Sequence, residues 1–234
     1  MASWVTHLMI ADRVWEQHPW LDRLSFGAGS IAPDCNVENE DWTQFTPPRE
    51  VTHWMAAGRK TAADSDRFFA ERIEPNRMRR KEYSFWLGYW AHLVADAEFQ
   101  RMIRDERRVA AAWKRVKAHP DLASRAAGMP ETWDTIKMLL PKREWMKDLY
   151  TLEADYLETH PDSGYRDVMN LTSFPDYAEF LPPGAIVRKI GVMAGLPEPV
   201  EDAEFVFFTR EEYADFVERT CAELICTLNG RIFT

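Results

Sequence analysis

His92 and Asp96 stand four residues apart in Tyr83-Ser-Phe-Trp-Leu-Gly-Tyr-Trp-Ala-His92-Leu-Val-Ala-Asp96-Ala-Glu-Phe99, the most apolar stretch of the chain. On a helix that spacing turns both side chains to one face. An imidazole and a carboxylate in such surroundings are costly unless they hydrogen-bond each other or hold a cation. The pair alone fits either reading. Three further residues extend it: His7 beside an apolar stripe, Asp34 after Pro33, and His53 after the Pro47-Pro48 turn. Three histidines and two aspartates supply the nitrogen and hard-oxygen donors of a zinc site, and a carboxylate can bridge two ions. Each also has an ordinary reading: His7 packed or capping a helix, Asp34 forming a turn, His53 on the surface.

Other chemistry finds little purchase. The chain has no adjacent His-Asp doublet, no H-E-x-x-H, no G-x-S-x-G and no Walker A loop. The run Arg77-Met-Arg-Arg-Lys81 reads as a solvated turn that can touch phosphate. His119 and His160 each precede Pro-Asp and read as helix-terminal residues, while Asp148 and Asp155, seven apart, read as a solvated acidic face. Trp4, Trp42, Trp54, Trp86 and Trp90 lie near the candidate ligands in sequence and either wall a pocket or pack the core.

The elements that must position these residues read as helices nearly throughout. Trp4, Leu8, Ala11 and Trp15 predict an amphipathic helix over 3–17. Residues 25–48, with Gly27, Gly29, Pro33, Pro47 and Pro48, predict a long irregular segment, and Thr46 a helix start with proline in its first turn. Asp64 or Ser65 predicts the cap of a short helix through Ile73. The stretch 82–103 is apolar on every side and predicts a buried central helix, in which Gly88 leaves room for something bulky. Further helices are predicted over 106–118, over 130–140 and from Pro141 to His160. Thr209-Arg-Glu-Glu212 is a capping box that opens a last helix ending at Asn229-Gly230, and 204–208 reads weakly as strand. No repeat or linker divides the pattern, so the expectation is one all-α domain over 1–234 with a cleft beside the central helix.

Composition narrows the partners. Twenty-nine Lys+Arg against 38 Asp+Glu give a net charge of −9, which disfavours an extended nucleic-acid surface or a polybasic lipid face. An anionic substrate must then meet a local positive charge. Cys35, Cys221 and Cys226 form no C-x-x-C pair, and no signal peptide or transmembrane run is present, so a cytoplasmic protein is expected. Nothing in the sequence sets the oligomeric state.

Four motifs in order then converge: Thr6-His7, Phe26-Gly-x-Gly-x-Ile-Ala-Pro33-Asp34, Thr52-His53 and Gly88-Tyr-x-x-His92-Leu-x-x-Asp96. Together they resemble the zinc-dependent phospholipase C family, which shares its fold with the P1-type nucleases. The resemblance spans 1 to about 105. It implies an all-α fold with a metal cluster in a cleft, and hydrolysis of phosphodiesters. It also implies that Asp34, His53 and His92 hold one zinc, that Asp96 bridges, and that His7 serves a second ion, with iron or manganese as alternatives. Asp34 and Asp96 are thereby the catalytic carboxylates. Met102 stands where those enzymes place a histidine for a third ion, and the spacing of His119 and His160 does not replace it. An amine at Ala2, five residues before His7, or Asp148 is the candidate to complete the second ion's shell. The expected function is hydrolysis of a small phosphoester by metal-bound hydroxide from two zinc ions. The alternative is a helical protein whose metal site is structural, with closed coordination.

Overall fold

Ser3 starts the first helix, α1 (Trp4–Gln17): its hydroxyl accepts the Thr6 N–H, satisfying one of the donors a helix leaves open at its N-terminus. A computed structural model describes residues 2–55, 63–74, 76–193 and 203–232. Among these the regular structure is helical apart from one short hairpin, β1 (Val37–Glu38) against β2 (Phe45–Thr46), and an isolated bridge between Met55 and Ala63. The all-α class is therefore the observed one. The contacts divide the chain into two units, the first formed by 1–97, 162–195 and 220–234, the second by 98–161 and 196–219.

In the first unit α1 is followed by α2 (Arg23–Ile31), capped by the Asp22 carboxylate. Here the first part of the expected irregular segment, 25–31, is helix, while 35–48 is irregular apart from the hairpin. Glycine reads as loop, yet Gly29 and Gly88 let two backbones touch: a Cβ on Gly29 would lie 2.0 Å from the Phe85 carbonyl oxygen, and one on Gly88 2.0 Å from that of Phe26. The room beside Gly88 is filled by the main chain of α2 and not by a ligand. Pro33 has no N–H to continue the α-helix, so the chain tightens into a single 3₁₀ turn over Ala32–Asp34.

After β2, α3 (Arg49–Thr52) begins three residues later than the expected start at Thr46, which belongs to the strand; Pro48 takes the N-cap position. Then α4 (Ser65–Phe68), capped by Asp64, continues as a wider turn through Ile73. The central helix, α5 (Arg80–Arg104), is buried from Ser84 to Phe99 except at Ala97.

In the second unit α6 (Glu106–Ala118), α7 (Ala123–Ala126), α8 (Trp133–Leu139), α9 (Lys142–Trp145) and α10 (Lys147–Thr159) follow in order. His119 and His160 cap the ends of α6 and α10, as expected. The acidic-face reading fails at Asp148, which is buried and accepts the N–H groups of Phe205, Phe207 and Phe208 at 2.9, 2.8 and 3.1 Å. The same bonds explain why 204–208 is not a strand. Its amides turn inward to a carboxylate instead of pairing along a ladder.

Back in the first unit lie α11 (Gly164–Met169) and α12 (Ala185–Met193). Asp12 of α1 ties α11 to α2: it accepts from Arg23 at 2.8 Å, the Ser163 hydroxyl at 2.7 Å and the Gly164 N–H at 3.0 Å. The last helix, α13 (Arg210–Ile232), opens on the expected capping box, with Thr209 and Glu212 bonded reciprocally, and runs past Gly230. No helix among the described residues is long and apolar enough to cross a membrane.

Candidate metal centre

Four elements of the first unit bring His7, Asp34, His53, His92 and Asp96 together. α5 presents Phe85, Gly88, His92 and Asp96 along one face, so the Gly29–Gly88 contact that docks α2 also sets the height of His92 and Asp96. α1 adds His7, whose ring stacks on His92 with centroids 3.8 Å apart and planes 10° from parallel. The 3₁₀ turn after Ile31 delivers Asp34, and the end of α3 delivers His53, whose N–H closes on the Arg49 carbonyl at 2.8 Å.

The histidines are held by their far sides. His92 Nδ1 lies 2.8 Å from the Ser30 carbonyl, which can only accept, so Nδ1 carries the proton and Nε2 keeps its lone pair. That carbonyl lies in the last turn of α2, where the helix supplies no partner of its own. His53 Nδ1 lies 2.9 Å from the Thr52 hydroxyl, which holds the ring with Nε2 facing inward. The two Nε2 atoms stand 3.4 Å apart. Fixing one ring nitrogen so that the other faces inward is the arrangement that orients metal-binding imidazoles.

Both aspartates meet these nitrogens. Asp96 Oδ1 is 3.6 Å from His7 Nε2, while Oδ2 is 3.7 Å from His53 Nε2 and 3.9 Å from His92 Nε2. Asp34 Oδ1 is 3.3 Å from His53 Nε2, and Oδ2 accepts the Trp4 indole N–H at 3.3 Å. The Ala2 N–H donates to Asp96 Oδ1 at 3.1 Å.

Burial by itself would raise both carboxyls. Asp34 is nonetheless held well below the usual carboxylate range by the bond from His53 and the proximity of His92, and Asp96 by His7 and His92. Burial, reinforced by the adjacent His7, pushes the His92 pKa down to about 3. At neutral pH the centre thus holds ionised carboxylates and a neutral His92 imidazole, the protonation states in which these groups bind a metal.

The donor set fits a divalent metal on a second ground. His7 is buried, yet among the described residues neither Nδ1 nor Nε2 has a hydrogen-bond partner, and orphaned buried polar atoms are rare and costly. A bound cation would satisfy His7 where the protein does not. Two overlapping triads have ligand atoms close enough to share an ion: His7, His92 and Asp96, and Asp34, His53 and His92.

The surface reading of His53 does not hold, since the residue is 1% exposed. Asp148 is committed to its three amides, and Asp155 pairs with Arg210 at 2.7 Å on an exposed surface. Of the five tryptophans, Trp4 reaches the centre through its indole N–H, Trp86 and Trp90 are core, and Trp42 is half exposed. The basic run is not idle: Arg80 caps the carbonyls of Trp20 and Leu21.

Sequence reasoning missed Arg49. Its Nη2 lies 3.1 Å from Asp96 Oδ2 and its Nη1 4.0 Å from Asp34 Oδ1. The signal available was its place four residues before His53, one helical turn behind a candidate ligand.

A helical unit that buries three imidazoles against two carboxylates, two of the rings held from outside, is of a kind able to hold divalent metal. Residues 6–98 match the family model of zinc dependent phospholipase C, the family that the sequence motifs resemble. All five candidate ligands fall inside the matched stretch. No curated protein and no solved structure matches the chain.

Proposed function

We propose that the protein is a zinc-dependent phosphoester hydrolase acting on a small phosphodiester through a dinuclear site. The observation that carries the reading is the disposition of Asp96: its two oxygens face different imidazoles, Oδ1 toward His7 and Oδ2 toward His53 and His92. An imidazole nitrogen has one lone pair, and His92 Nδ1 is committed to Ser30, so His92 serves one ion. Asp34, His53 and His92 would then hold one zinc, His7 the other, and the carboxylate of Asp96 both.

Zinc so held polarises a phosphoryl oxygen and lowers the pKa of a bound water to about 7. The chain's own residues prepare that chemistry. Ser30 and Thr52 hold two rings, and Trp4 steadies Asp34. A structural metal site would be closed. Here the Asp34 and Arg49 side chains are 13% and 30% exposed, which favours a side open to substrate. Cys35, Cys221 and Cys226 are free thiols, which supports the cytoplasmic placement that goes with this reading.

The test is hydrolysis of bis(4-nitrophenyl) phosphate by zinc-loaded protein. Asp96→Asn is expected to abolish it, and His119→Ala and His160→Ala to leave it intact. Equal damage from the two controls would refute the ligand assignment, and inactivity of fully metallated protein toward every phosphoester class would favour the structural-metal reading.

A further inference from the structure

We propose that Arg49 binds the phosphoryl group of the substrate at the solvent-facing edge of the cluster. The inference rests on the phosphoester reading above. The chain carries a net charge of −9, the Asp34 and Asp96 carboxylates included, so beyond the charge that bound zinc would supply, a fixed positive group at the rim favours the approach of a phosphoester. Among the described residues Arg49 is the one lysine or arginine with a charged nitrogen within 4.0 Å of Asp34 or Asp96.

Its placement suits that task. The histidine side chains are at most 1% exposed and those of Asp96 and Asp34 8% and 13%, whereas Arg49 is 30% exposed. An anion arriving from solvent meets the guanidinium before it meets the imidazoles. Five N–H donors lie in the fork, and one of them bonds Asp96 at 3.1 Å. The planar fork matches two oxygens of a phosphate at once, which an ammonium does not. Cations shared between Asp34 and Asp96 would compete with Arg49 for the same carboxylates, which favours turning the fork toward the substrate.

The backbone holds the residue at that edge. Arg49 opens α3 directly after Pro47-Pro48, the Pro47 carbonyl accepts the Asn36 side-chain N–H at 3.4 Å, and the Arg49 carbonyl accepts the His53 N–H at 2.8 Å. Asp96, His53 and Arg49 are thus one constellation, in which the arginine is the member able to leave its carboxylate without uncovering the core.

The experiment measures two bindings by calorimetry: zinc to chelator-treated protein, and inorganic phosphate to zinc-loaded protein, each for the wild type, Arg49→Gln and Arg49→Lys. Arg49→Gln is expected to bind zinc at least as tightly as the wild type and phosphate about tenfold more weakly, with Arg49→Lys between them. Wild-type phosphate affinity in zinc-loaded Arg49→Gln would overturn the assignment, leaving Arg49 a counter-charge for the carboxylates. Loss of zinc from Arg49→Gln and Arg49→Lys alike would overturn it too, making the residue a support of the metal site. A wild-type protein that binds no zinc overturns the metal reading itself, and the assignment falls with it.

Discussion

Asp96 and Asp148 are both buried aspartates on helices, and their surroundings differ in kind. Asp148 accepts three backbone N–H groups from a loop that folds around it, and burial still leaves its carboxyl above the usual range. Asp96 faces three imidazoles and a guanidinium at 3.1–3.9 Å, and its carboxyl is held well below that range. Around Asp148 the donors are amides that can serve nothing else. Around Asp96 the neighbours are ring nitrogens turned inward, two of the rings, His53 and His92, held from behind, and a His7 whose nitrogens make no hydrogen bond among the described residues. Completed polar networks hold a fold, while convergent, incomplete ones call for a ligand.

The largest way to break the comparison is at the helix crossing beneath the candidate metal centre. Gly88→Ala would put a methyl carbon 2.0 Å from the Phe26 carbonyl oxygen, a main-chain atom that cannot turn aside. We expect a loss of more than about 4 kcal/mol in urea unfolding and a loss of bound zinc, since the crossing seats Ser30 under His92. Next, Asp148→Ala orphans three buried amides and should cost about 2–4 kcal/mol while zinc stoichiometry stays at the wild-type value. Zinc loss in that variant would erase the distinction between the two carboxylates.

A smaller effect sharpens the metal side. Thr52→Val removes the hydroxyl that holds His53 and should weaken zinc binding about tenfold, at a cost of about 1–2 kcal/mol in unfolding by denaturant. Glu38 supplies a third case, a carboxylate paired with Arg188 at 2.7 Å and Lys189 at 2.5 Å. Its pKa is lowered from 4.5 to about 2 by those two bonds, so the ionised form favours the fold. That contribution is fully present above pH 4.5 and is lost as the pH falls through 2. Glu38→Gln should therefore be less stable than the wild type at pH 7 and equal to it near pH 2, measured by urea unfolding across that range.

Much of this was legible in the sequence where period and chemistry agree. The four-residue step from His92 to Asp96 fixes a shared face on any helix, and Thr209 with Glu212 marks a helix start that the structure contains. Glycine misled, because the sequence cannot distinguish a glycine that loosens a loop from one that lets two helices touch: Gly29 and Gly88 need each other, 59 positions apart, to acquire meaning. Asp148 misled for the same reason, since its partners at 205–208 are distant in sequence. Arg49 was hidden because a charged residue after two prolines reads as surface, and its role appears only when α3 lies against Asp96.

The central claim is that His7, Asp34, His53, His92 and Asp96 hold two divalent metal ions. Zinc-reconstituted protein, desalted and analysed for metal by mass spectrometry, tests it directly. The account predicts about two zinc ions per chain in the wild type, as a carboxylate shared between two sets of nitrogens requires, and at most one in Asp96→Asn. Folded wild-type protein that retains no zinc and melts at the same temperature with or without chelator would contradict it.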